Sequence, residues 1–272
     1  MADSLTGYDD LVAVVLAAGA GTRLRPLSAL LPKPLCPVGG VALVDLALDR
    51  AHSVTPHVAV NVHHGAAHHG AANGWAPSIE AHLAGAVAAG SPHLSVEGPE
   101  ALGTAGALGH LRDWIDGRPV LVVNADSWHR ADMGDFATGW DGRRTRLLTV
   151  VDARRGTWGD RRYAGAALLP WAEVACLPDR PSGLWESSWH RLVPGRDLDL
   201  VDHGGAFFDC GTPAGYLAAN LEASDGRSVV HATAFVEGTV ESTVVWPGAR
   251  VARGEHLFRA VRATGGVTVL VR

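Results

Sequence analysis

Residues 11–19, LVAVVLAAG, form a continuous apolar run that ends in glycine. A strand with no polar alternate positions has to be covered on both faces, which is how the strands of a parallel sheet clothed by helices read. The pattern recurs along the chain. HVAVNVH (57–63), HLSVEGP (93–99), PVLVVNADS (119–127), TRLLTVVDA (145–153) and YAGAALLP (163–170) read as further strands. Between them, VALVDLALDRAHS (41–53), APSIEAHLAGAV (76–87) and GTAGALGHLRDWI (103–115) carry helical spacing, the last with Thr104 placed as a cap. Strands alternating with helices predict an α/β fold built on a doubly wound, mostly parallel sheet. In such sheets ligands bind outside the carboxyl ends of the strands, and stretches 17–25, 97–104 and 124–127 fall there.

From about residue 226 the helical period stops and short β-rich pieces separated by Gly and Pro take over. The expected organisation is a main domain over 1–225 and a short β appendage over 226–272. Val230 and Val236, like Val245 and Val251, stand six apart, which hints at a truncated left-handed β-helix. The exposed strand edges of such a tail favour a homodimer.

With 47% apolar residues, 19% charged residues and a net charge of −5, the chain suits a soluble domain with a sizeable core. Nothing in that charge balance suggests a general affinity for nucleic acid or anionic membrane, so a phosphate site has to be built locally. Cys36, Cys176 and Cys210 are odd in number and far apart. They read as reduced thiols of a cytoplasmic protein. The opening MADSLTGYDD is acidic and is not a signal peptide, and no apolar stretch is long enough for a membrane span.

Four features carry chemistry. Gly19 and Gly21 make a strand-to-helix turn whose N–H groups can approach a phosphate. The third glycine of the dinucleotide fingerprint is missing, because Thr22, Arg23 and Leu24 follow, and no P-loop sequence follows either. Arg23, with Arg25 two residues on, is a fork-shaped phosphate ligand. Lys33 is the only lysine among 23 basic residues and lies between Pro32 and Pro34, on a stiff extended segment. In a chain that writes arginine everywhere else, that placement favours a functional ammonium over a surface lysine. Asp126, just past a buried strand, is a natural Mg²⁺ ligand or an ordinary turn residue. Asp209, in FFDCGTPAGYLAANL (207–221), is a second metal ligand or a helix-entry residue, with Pro213 near the helix start.

These stretches converge on one family. LAAGAGTRLRPLSALLPKPLCPVGG resembles the signature loop of the sugar-1-phosphate nucleotidylyltransferases, and EALGTAGAL (100–108), VVNADS and FFDCGTPAGYLAAN resemble its other motifs in order. The resemblance spans about 11–225 and is nearest to mannose-1-phosphate guanylyltransferase-like and N-acetylmuramate-1-phosphate uridylyltransferase-like members. It implies a Rossmann-like nucleotidyltransferase fold and a Mg²⁺-assisted reaction of an NTP with a sugar 1-phosphate, giving an NDP-sugar and pyrophosphate. By motif match, Ala17, Ala18, Gly19, Gly21 and Thr22 hold the nucleotide and Gly103 and Thr104 flank the base. Arg23 and Lys33 meet phosphates, Asp126 and Asp209 hold Mg²⁺, and Gly165 contacts the sugar.

One departure bears on the sugar. Many members carry a Glu-Lys-Pro segment whose lysine meets the sugar phosphate; the corresponding RRGTWGDRRYAG (154–165) offers Arg161 and Arg162 instead. Glu186 and Trp189 are candidate sugar contacts or plain surface-loop residues. His64 and His68 have the i, i+4 spacing of some zinc sites, but the surrounding glycines and the missing third ligand favour polar loop residues. The nine tryptophans read as core and interface residues. Two rivals remain: a non-catalytic nucleotide-sugar-binding regulatory subunit on the same scaffold, and a nicotinamide dehydrogenase, which the missing third glycine disfavours.

Overall fold

The computed structural model describes residues 10–63 and 76–271, so the His64/His68 pair lies outside the described residues. Their contacts form two compact units. One comprises residues 10–19, 47–63, 76–125 and 130–206, and the other 20–46, 126–129 and 207–271.

The first unit is built on seven strands: β1 (Val12–Leu16), β2 (Val58–His63), β3 (His93–Glu97), β4 (Val120–Asn124), β5 (Thr145–Val151), β6 (Arg161–Leu169) and β7 (Leu198–Asp202). Their order is β7-β5-β6-β4-β1-β2-β3. Only β6 runs antiparallel to its neighbours β4 and β5. The expected doubly wound, mostly parallel sheet is therefore present, and the strand order reverses between β1 and β4, where such sheets open a crevice. Val12, Val14, Val120 and Val122 are fully buried, each contributing roughly 1.5–3 kcal/mol. The edge strand β7 was not foreseen. LDLVD carries acidic residues at Asp199 and Asp202, three apart, with no clean alternation, and its strand state comes from parallel pairing with β5.

The helical segment 103–115 is not continuous. It breaks at Leu111 into Gly103–His110 and Arg112–Ile115. Nor does Thr104 cap it: the helix begins at Gly103, and Thr104 Oγ1 accepts from the Leu184 N–H at 2.8 Å. Segment 178–184 runs across a face that only glycine leaves open. A Cβ at Gly103 would stand 2.6 Å from the Ser182 carbonyl oxygen, and one at Gly106 or Gly109 would collide with the carbonyls of Arg180 or Pro178.

In the second unit, Phe207–Asp209 pairs antiparallel with Ser127–His129, and the helix Pro213–Ala223 follows with Thr212 as its N-cap. Residues 229–262 coil through short parallel strands. Val230 pairs with Val245, Val236 with Val251 and Val240 with Leu257. The valine spacing of the sequence thus marks successive faces of a stacked coil. Val244, Val245, Trp246, Val251 and Leu257 share one buried core with Leu24, Leu27, Cys36 and Val38. No helix among the described residues is long and apolar enough to cross a membrane.

Candidate active site

In the first unit, chain leaves the carboxyl end of β1 through Ala17, whose N–H donates to Asn61 Oδ1 at 2.8 Å. Asn61 Nδ2 donates to Glu97 Oε1 at 2.7 Å, and Glu97 Oε2 accepts from the Leu102 N–H at 2.8 Å. Buried Asn61 and Glu97 therefore tie the β1 loop to the residue before Gly103. Sequence reasoning missed both. Their signal is a polar residue inside the apolar runs VAVNV and LSVEG. Ala18 is half-buried, and Gly19 is exposed with open space where a Cβ would stand.

Gly103 has φ +69° and, with Thr104, is engaged by segment 182–184; Ser182 O also accepts from the Ala105 N–H at 3.0 Å. Gly165 has φ +85° on β6, two residues past Tyr163, whose ring lies 5.1 Å from that of Trp189. Trp158 in turn meets Trp185 at 5.7 Å edge-on. Glu186 folds its carboxylate back against Gly183 at the start of its own helical turn. Arg161 and Arg162 are each matched to an acid: Arg161 to Asp202 at 3.2 Å and Arg162 to Asp152 at 3.7 Å.

The second unit gathers Gly21, Thr22, Arg23, Lys33, Asp126 and Asp209. Gly21 takes φ +62° to start the 3-10 turn Thr22–Leu24, and Ser28 Oγ donates to its carbonyl at 2.7 Å. A Cβ there would stand 3.1 Å from Lys33 Cβ, so glycine serves both the turn and the approach of Lys33.

Lys33 is not on an extended segment. It opens a 3-10 turn over Lys33–Leu35, closed by the Cys36 N–H donating to Lys33 O at 3.0 Å. Local hydrogen bonding overrides the extended bias that Pro34 places on its predecessor. The lysine side chain is only 8% exposed, and its Nζ donates to Asp126 Oδ2 at 2.5 Å. Arg23, 65% exposed, reaches Asp209 Oδ2 at 3.5 Å, while Asp209 Oδ1 accepts from the Gly211 N–H at 2.8 Å. Asp209 faces Ser127 across the ladder and the Cys210 N–H donates to Asp126 O at 2.9 Å, so both aspartates stand at the same end of it. Three residues past Lys33, burial pushes the Cys36 thiol up to about 12, against the partial opposition of the Lys33 charge.

The Asp126 and Asp209 carboxylates each lie beside a cation and offer only oxygen donors. No group of three or more His, Cys, Asp or Glu converges among the described residues. That set suits a hard divalent cation that keeps water and substrate oxygens as its remaining ligands.

The fold is that of an α/β protein of the doubly wound class. The family model described as nucleotidyl transferase matches residues 12–153, and the chain belongs to that family. It is 38% identical over 148 residues to the N-acetylmuramate alpha-1-phosphate uridylyltransferase of Caulobacter vibrioides, a match covering 52% of this chain and 57% of that relative. The chain thus spans little more than half the length of that protein. It is 30% identical to the mannose-1-phosphate guanylyltransferase of Mycobacterium tuberculosis, covering 94% of this chain and 82% of the relative. Among solved structures, one described as a mannose-1-phosphate geranyltransferase from Thermus thermophilus shares the fold with a TM-score of 0.66 at 17% identity, covering 96% of this chain and 95% of that one.

Proposed function

We propose that the protein transfers a nucleotidyl group from an NTP to a sugar 1-phosphate, releasing pyrophosphate. A phosphate oxygen of the sugar attacks the α-phosphorus, the new O–Pα bond forms as the bond to the β-phosphate breaks, and no covalent enzyme intermediate arises. Catalysis is then positioning plus charge stabilisation. The observation that carries this reading is the pairing of buried Lys33 with Asp126, beside Arg23 with Asp209 at one end of a ladder.

In this reading the resting pairs hold each charge until substrate arrives. Phosphates take over the two cations, Lys33 at the α-phosphate or the sugar phosphate and Arg23 at the leaving pyrophosphate. The freed carboxylates of Asp126 and Asp209 would hold Mg²⁺. A divalent cation there would supply neutralisation of the negative charge that develops on the phosphates. Ala17, Ala18, Gly19, Gly21 and Thr22 hold the nucleotide, Gly103 and Thr104 lie along the base, and Gly165 and Glu186 take the sugar. Exposed Phe258 and Leu270 of the C-terminal coil support a homodimer through that coil.

The test is a pyrophosphate-release screen of the purified protein, crossing the common NTPs with a panel of sugar 1-phosphates in Mg²⁺. Turnover with at least one pair is expected. Tight NDP-sugar binding without turnover by any pair would replace this reading with a regulatory subunit on the same scaffold.

A further inference from the structure

The segment that carries Lys33 is tied down from a distance. Pro37 O accepts two hydrogen bonds, from Tyr216 Oη at 2.5 Å and from Asn220 Nδ2 at 3.3 Å. Asn220 Oδ1 accepts in turn from the Gly39 N–H at 3.1 Å, so one side chain grips both sides of Val38. Trp246 Nε1, from the C-terminal coil, donates to Tyr216 Oη at 3.0 Å, and its ring meets the tyrosine ring edge-on at 6.4 Å. Tyr216 and Asn220 are fully buried and Trp246 nearly so. Burial holds the Tyr216 hydroxyl well above its usual titration range, which keeps its proton available to Pro37.

Little slack lies between this clamp and the ammonium. Lys33 O accepts from the Cys36 N–H at 3.0 Å, Cys36 O accepts from the Leu43 N–H at 3.2 Å, and Pro37 and Val38 pair with Ala42 and Val41. Gly39 and Gly40 close that hairpin, both at positive φ. A shift at Pro37 is therefore carried to Lys33 through one hydrogen-bonded turn.

We propose that Tyr216 and Asn220, braced by Trp246, are positioning residues that set where the Lys33 ammonium stands, so that the C-terminal coil acts on Lys33 as well as on stability. The effect on turnover rests on the reaction proposed above; the effect on Lys33 does not.

Because Lys33 is the only lysine, protein labelled with ¹⁵N-lysine gives a single side-chain ammonium signal. In the full chain that signal should be sharp, since the ammonium is buried and paired. Tyr216→Phe, Asn220→Leu and Trp246→Phe should shift or broaden it, in proportion to the hydrogen bonds removed. Val251→Ala, a cut in the same core away from the clamp, should leave it in place at a comparable loss of melting temperature. In an active enzyme, Tyr216→Phe should lower kcat about 10-fold or more with little change in the KM for NTP, because only placement of a charge is lost. An unmoved ammonium signal in all three clamp variants, or an equal shift in Val251→Ala, overturns the proposal. If the wild-type protein turns over no substrate pair, the spectroscopic arm still decides it.

Discussion

Lys33 Nζ donates to Asp126 Oδ2 at 2.5 Å across 93 residues of chain, and the lysine is 8% exposed against 34% for the aspartate. The ammonium is the sequestered member of the pair and the carboxylate the accessible one.

Lys33→Ala should lower kcat/KM by on the order of 10²-fold or more, as expected when a charged contact to the transition state is lost. Lys33→Arg should restore little of it. A planar guanidinium does not match the place of a compact ammonium that donates to Asp126 from a side chain only 8% exposed. Steady-state kinetics on both variants check this, and near-normal rates in Lys33→Ala would remove the lysine from the reaction.

The two aspartates should separate by stability and agree in activity. Asp126→Ala strands a buried ammonium and should destabilise by about 1–3 kcal/mol, tempered by the partial exposure of the pair. Asp209→Ala releases an exposed Arg23 and should cost about 1 kcal/mol at most. Both should abolish Mg²⁺-dependent turnover. Urea unfolding read beside a Mg²⁺ titration of activity tests the two halves, and full activity in either variant would exclude that carboxylate as a metal ligand.

Glycines inside helices should respond with opposite signs. Gly106→Ala pushes a Cβ into the Arg180 carbonyl and should destabilise by roughly 1–3 kcal/mol. Gly85→Ala, in the helix Ala76–Ala88 with nothing within 4 Å of the new Cβ, should stabilise by about 0.5–1 kcal/mol. Chemical denaturation of the pair measures the difference.

The Cys36 thiol, buried and pushed up from 9.0 to about 12, stays protonated in the folded protein where the unfolded chain ionises. Its contribution to stability is intact below about pH 9 and is lost as pH rises from there towards 12. Cys36→Ala should flatten that alkaline limb in unfolding curves taken across the range. With Cys36 and Cys210 buried and Cys176 exposed, a thiol reagent at neutral pH should modify Cys176 alone until the protein is denatured.

The strands β1 and β4 were legible because β1 is apolar at every position and β4 at every position before Asn124, a pattern that local sequence carries without help. The start of the helix at Pro213 was legible for the same reason, since Thr212 and Pro213 satisfy its first turn themselves. The candidate residues were recognisable as types: two glycines before an arginine, a solitary lysine between prolines, an aspartate closing a buried run. What could not be read was anything set by partners far along the chain. LDLVD became the edge strand β7 only by pairing with β5. Thr104 left its expected cap to receive the Leu184 N–H. The polar Asn61 and Glu97, which look misplaced in their strands, are explained by each other and by the N–H groups of Ala17 and Leu102. Likewise the proline-flanked lysine announced an unusual cation, but its burial, its 3-10 turn and its aspartate partner follow from packing. Hydrophobic period is a property of neighbours in sequence, whereas the placement of a charge depends on which distant groups fold around it.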